Sequence, residues 1–157
     1  MRTLLLGLAD AGVFDPLWSD GVAAEWLHVT AQKGQPGAPE ALARMAARWP
    51  EGVTPAGNPE ILDLPDANDR HVLAAAIAGG ADGLVTLNLR DFPPRATDPH
   101  GLRVQAPDPF VMNLWLENPA VVEGQVAQIW PGLQGRDLRN ALKRARLPRL
   151  GKALEHD

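Results

Sequence analysis

Asp66 and Asp69 stand three residues apart in Pro65-Asp66-Ala67-Asn68-Asp69, just ahead of an apolar, alanine-rich run from Val72 to Ile77. Two acids at that spacing on a helix share a face and repel each other. Either they serve the exposed N–H groups of the helix end, or they share a cation. Asp91 follows the apolar run Leu84-Val85-Thr86-Leu87, with Thr86 and Asn88 close by; alone it reads as an aspartate in a turn before Phe92-Pro93. Glu25, in Ala23-Ala24-Glu25-Trp26, alone reads as an exposed helix glutamate. Together, clustered carboxylates without cysteine, and without a histidine pair at ligand spacing, suit a hard cation, Mg2+ or Mn2+. Such an ion lowers the pKa of a bound water and neutralises charge on a phosphate under in-line attack. The four histidines (His28, His71, His100, His156) are scattered and read as surface residues. The chain contains no Walker-type loop, no Gly-x-Gly-x-x-Gly after a strand and no Gly-x-Ser-x-Gly elbow.

These residues need elements to position them. Leu4, Leu5 and Leu8 have helical spacing over residues 2–11, with Gly12 as a stop. Val13 to Trp18 reads as a modest strand carrying Pro16. Ser19 reads as the N-cap of a helix running to about Gln32. Glu40 to Trp49 is helical, between two loops. Ile61 to Leu64 reads as a short strand, and the helix opened at Asp66 closes at Gly79-Gly80. Leu84 to Leu87 reads as a buried strand and Leu102 to Gln105 as another. Asp108-Pro109 caps a further helix. Everything after Asn118 is helical, with breaks at Pro131-Gly132 and Pro148. Helices alternating with short apolar strands predict an α/β fold, a parallel sheet flanked by helices, with extra C-terminal helices. Ligands in such sheets sit at the carboxyl ends of strands, which directs attention to the loop after Leu87.

The chain has 157 residues, the size of one ordinary domain, with 45% hydrophobic and 22% charged residues. Without cysteine it has no disulfide, no thiolate metal site and no thiol catalysis, which accords with a cytoplasmic protein. No run approaches the length of a membrane span. The net charge of −4 is unevenly spread: Arg136, Arg139, Lys143, Arg144, Arg146, Arg149 and Lys152 face a single acid, Asp137, over residues 136–152. Such a tail reads either as a solvated helix face or as an RNA contact.

The stretch from Leu64 to Phe92, LPDANDRHVLAAAIAGGADGLVTLNLRDF, resembles the second half of a PIN-domain nuclease. Leu17-Trp18-Ser19 followed by Glu25 is similar to that family's second strand and acid-bearing helix. The resemblance covers about residues 1–115, leaving 116–157 as a helical extension. It implies a Mg2+- or Mn2+-dependent endoribonuclease, akin to VapC-type toxins, acting on RNA and held silent by an antitoxin. It also implies a homodimer. By position it assigns Glu25, Asp69 and Asp91 as catalytic and metal-binding acids, Asp66 as an auxiliary metal ligand, and Thr86 and Asn88 as substrate-binding neighbours.

Family members begin with a strand that ends in an aspartate. Here Met1-Arg2 already stands at the start of the helix that follows, so that strand and its acid have no counterpart. The alternative is therefore a non-catalytic PIN module that binds RNA or a protein partner. A version extended upstream is expected to melt higher and turn over faster than this chain; equal melting temperature and equal turnover would refute that expectation.

Overall fold

The computed structural model, which describes residues 1–156, consists mainly of helices with two short strands among them in chain order. Helix α1 (Arg2–Asp10) ends just before Gly12, as its leucine spacing predicts. Helix α2 (Asp20–Gln32) starts at Ser19, whose Oγ accepts the Val22 N–H at 3.1 Å. Helix α3 (Ala38–Arg48) begins two residues ahead of expectation, with Pro39 in its first turn. Next come α4 (Arg70–Ala78), β1 (Gly83–Val85), α5 (Pro94–Thr97), β2 (Arg103–Gln105) and α6 (Pro107–Glu117). Helices α7 (Pro119–Ile129), α8 (Gly135–Arg144) and α9 (Pro148–Ala153) complete the C-terminal part.

Strands β1 and β2 pair. The Arg103 N–H donates to the Asp82 carbonyl at 3.1 Å and the Thr86 N–H to the Gln105 carbonyl at 3.0 Å. Residue numbers rise together along the pair, so it is parallel, and the crossover it requires is supplied by the segment containing α5. The chain is the helix-flanked α/β fold that the sequence predicts, with additional helices at its C-terminal end.

Three expected strands come out differently. Val13 to Trp18 makes only a single parallel bridge, Trp18 to Val53, with the Trp18 N–H on the Gly52 carbonyl at 2.9 Å. Pro16 has no N–H to give a ladder. Ile61 to Leu64 forms no strand: residues 59–61 make a 3-10 turn and Ile61 is exposed, while Leu62 and Leu64 reach the core. The strand expected over Leu84 to Leu87 stops at Val85, and Leu87 is exposed rather than buried.

The chain divides into two compact units. One comprises residues 16–84 and 88–104, with a core of Leu62, Leu64, Leu73, Ala74, Phe92 and Leu102. Its loop over residues 50–59 runs so close to α4 that Gly57 (φ +70°) has no room for a Cβ, which would collide with the Ala74 carbonyl. The other unit contains α1 and the chain from residue 105 onward. Leu4, Leu8, Val111, Val122, Leu142 and Leu147 form its centre.

Asp108 departs from its predicted role. Helix α6 begins at Pro107 with Ala106 as N-cap, so Asp108 lies inside the first turn and is buried. Its Oδ2 accepts the Arg149 N–H at 2.8 Å and its Oδ1 the Leu150 N–H at 3.2 Å. These are free N–H groups at the start of α9, so Asp108 caps a helix some forty residues further along the chain. Helix α8 ends in a Schellman motif: the Leu147 N–H reaches the Leu142 carbonyl at 2.9 Å and the Arg146 N–H the Lys143 carbonyl at 3.1 Å. The left-handed position there, usually glycine, is Arg146 (φ 65°), at a cost of roughly 1 kcal/mol.

Asp108→Ala would leave two N–H groups of α9 without an acceptor beside a buried cavity. It is expected to destabilise the chain by about 2 kcal/mol or more, read as a lower midpoint in urea with little change in slope.

Candidate active site

All four predicted acids fall in the unit of residues 16–84 and 88–104. Asp66 precedes a 3-10 turn (Ala67–Asp69), and its Oδ1 accepts the Asn68 N–H at 2.9 Å. It does what an acid at a helix start ordinarily does. Asp69 occupies the N-cap position of α4, yet its side chain makes no capping bond. It is half-buried, and its carboxyl is raised from the ordinary aspartate range. Burial is the largest cause, followed by the negative charges of Asp91, Asp66 and Glu25; His71 opposes them. Asp69 is thus the point at which the other three carboxylates are felt.

Asp91 ends the 3-10 turn Leu89–Asp91 and is half-buried. It is fixed from one side by Phe92, which is buried in the core. Glu25 projects from α2 and is well exposed. Asn88 is exposed at the start of the turn that carries Asp91 and accepts the Asp91 N–H through its carbonyl at 3.1 Å. Thr86 belongs to the other compact unit, where its N–H pairs with Gln105.

The reading of all histidines as surface residues needs correction. His28 and His100 are exposed, and the His156 side chain lies outside the described residues. His71 is half-buried: its Nε2 lies 3.5 Å from Glu25 Oε2, and its Nδ1 is buried without a partner among the described residues. Gly21 makes this possible. A Cβ there would stand 3.0 Å from His71 Nδ1, so the ring lies over bare backbone in the first turn of α2. Two signals could have found it: the position two residues after Asp69, and a glycine where a helix gains little from one.

The groups that act on Asp69 offer carboxylate oxygens and one imidazole, a set whose chemistry fits a hard divalent cation. Among the described residues, no three acids or histidines stand close enough to share one ion. A cation of the Mg2+ class, usually held by one or two carboxylates with its remaining positions taken by water, does not require more.

The chain matches the family profile described as PIN domain over residues 2–90, more than half its length. It belongs to the PIN-domain family. It is 40% identical over 79 residues to "Putative ribonuclease VapC50" of Mycobacterium tuberculosis, an alignment that covers 47% of this chain and 47% of that protein. The chain thus spans about half the length of the curated relative it matches. No solved structure gives a match. The PIN match contains Glu25, Asp66 and Asp69 and ends one residue short of Asp91. Among the described residues, no helix is long and apolar enough to cross a membrane.

Ionising Asp69 costs more in the folded PIN unit than in the unfolded chain, so this residue's contribution to stability is complete below the ordinary aspartate range and is lost as pH rises through its raised value. Asp69→Asn, which keeps the shape and removes the charge, is expected to raise the melting temperature at neutral pH by a few degrees. The gap between variant and wild type should close below about pH 4. A lower melting temperature for the variant at pH 7 would overturn this account of the site.

Proposed function

We propose that this chain is a Mg2+- or Mn2+-dependent endoribonuclease of the VapC toxin type, hydrolysing RNA phosphodiester bonds at Glu25, Asp69 and Asp91. The observation that carries this reading is the state of Asp69. It sits at a helix start without capping it, and its carboxyl is raised first by burial and then by the charges of three neighbouring carboxylates. A fold gains nothing from that arrangement by itself, whereas a cation among the acids would relieve it. Membership of the PIN family and the likeness to a protein named as a ribonuclease support the same reading.

Asp69 and Asp91 would hold the ion, with Glu25 and the second oxygen of Asp66 contributing through its bound water. When bound, the ion supplies a water of lowered pKa and charge neutralisation at the phosphate. The protein's part is positional. Phe92 anchors Asp91, Leu73 anchors the helix behind Asp69, and His71 Nε2 stands 3.5 Å from Glu25 Oε2. Asn88, at the exposed start of the Asp91 turn, and Thr86 are assigned to the substrate. A toxin of this kind would act in the cytoplasm, as a homodimer, and be silenced by an antitoxin protein.

The spacing of the acids favours a second reading, a PIN module that binds RNA or a protein without cutting, because among the described residues no three donors stand close enough to share one ion. Cleavage of a labelled single-stranded RNA decides between them. Activity with Mn2+ or Mg2+ is expected to vanish in EDTA and to fall by about 100-fold or more in Asp69→Asn and in Asp91→Asn. In parallel, Mn2+ should raise the melting temperature of the wild type and leave that of Asp69→Asn unmoved. Wild-type cleavage that survives both chelation and Asp69→Asn would remove these acids from the mechanism, and no cleavage with no thermal response to Mn2+ would favour the binding module.

A further inference from the structure

We infer that the basic face of α8 and α9 is a docking surface for the phosphate backbone of single-stranded RNA. The ribonuclease reading supplies only the choice of partner; the surface itself rests on other observations.

All seven bases of residues 136–152 are exposed. In α8, Leu138, Ala141 and Leu142 turn towards the core, as does Ala145 just after it, and Arg136 and Lys143 lie on the opposite side at helical spacing. Among the described residues, Arg139 is the base of this group that has an ion pair, with Glu155 at 2.7 Å. Outside residues 136–152 the chain keeps eight of its fifteen bases against eighteen of its nineteen acids, so it offers a polyanion little else to hold.

Two features favour nucleic acid over an acidic protein. Protein interfaces depend on buried apolar or aromatic anchors, yet among the described residues no exposed large apolar side chain lies in α8 or α9. Five of the seven bases are arginines, whose planar fork suits phosphate oxygens and stacks on bases. Arg146 adds an independent sign. It occupies the left-handed position of the α8 Schellman motif, where glycine would relieve strain. A side chain kept against the local preference of the backbone points to a use for that side chain.

The test measures binding of a fluorescein-labelled single-stranded RNA to the full chain in EDTA, at low and at physiological salt. The variant combining Arg136→Gln, Lys143→Gln, Arg144→Gln and Arg149→Gln is expected to bind at least tenfold more weakly at low salt. Its salt slope should be shallower by about 0.7 for each phosphate contact removed. Lys33→Gln with Arg44→Gln, exposed bases elsewhere, should bind like the wild type. Arg146→Gly should melt higher than the wild type and still bind RNA about two- to threefold more weakly, a pairing that a purely structural arginine would not give. Unchanged affinity and slope in the fourfold variant, or an equal loss in the Lys33/Arg44 control, would overturn the inference. Tighter binding of polyglutamate than of RNA would overturn it too, by assigning the face to an acidic protein. A wild type that binds through this face but never cleaves would sink the ribonuclease reading alone.

Discussion

Carboxylates repel, and in the unit of residues 16–84 and 88–104 three of them, Asp91, Asp66 and Glu25, act on a fourth, Asp69. Apolar burial is what can offset that repulsion, and the sequence places it beside each acid. Glu25 follows Ala23, which is buried on α2. Asp66 and Asp69 lie between Leu64 and Leu73, and Asp91 directly precedes Phe92; those three apolar side chains are in the same core. A fully buried leucine or phenylalanine contributes about 2 kcal/mol, more than two partly solvated charges lose by facing each other at a surface. Each acid is thus tethered within a few residues of a buried apolar side chain.

That pattern explains which parts of the molecule were legible in the sequence. Ser19, the Asp66–Ala78 element and the breaks at Pro131-Gly132 and Pro148 are local signals, set by caps and turns, and they appear where the residues put them. The strands over Val13–Trp18 and Ile61–Leu64 did not form, because an apolar run becomes a strand only when a neighbour supplies its hydrogen bonds. Trp18 finds a single bridge with Val53. Leu62 and Leu64 keep the alternation of a strand, with both side chains in the core, but make no ladder. The same limit hid His71. Its place against Gly21 and Glu25 depends on how α2 meets α4, and no spacing within one segment encodes that.

Charged residues in the other compact unit divide into two kinds. Asp108 is buried and spends both oxygens on the backbone of α9, which makes it part of the architecture although its type and place suggested a simple cap for its own helix. The bases of α8 and α9 are the reverse case. They stand in solvent opposite the core, and the helices would pack through Leu138, Leu142, Leu147 and Leu150 whatever occupied those outer positions. A solvated face tolerates any polar residue. A concentration of arginines there, one of them in a strained backbone conformation, is therefore not accounted for by packing.

Asp66 and Asp69 show the same contrast at closer range. From the sequence, two acids three apart at a helix start have interchangeable roles, and helix stabilisation accounts for both. The structure separates them. Asp66 accepts the Asn68 N–H and makes the turn, so the backbone has its acceptor before Asp69 is reached. Asp69 is then left beside three other acids with no bond to the helix it precedes. Had Asp69 been the cap, its charge would have been spread over N–H groups and its carboxyl drawn down rather than up. Because Asp66 takes the structural work, Asp69 can stay in a state that the fold alone would not select, which is the state a residue must have if it is kept to meet a cation.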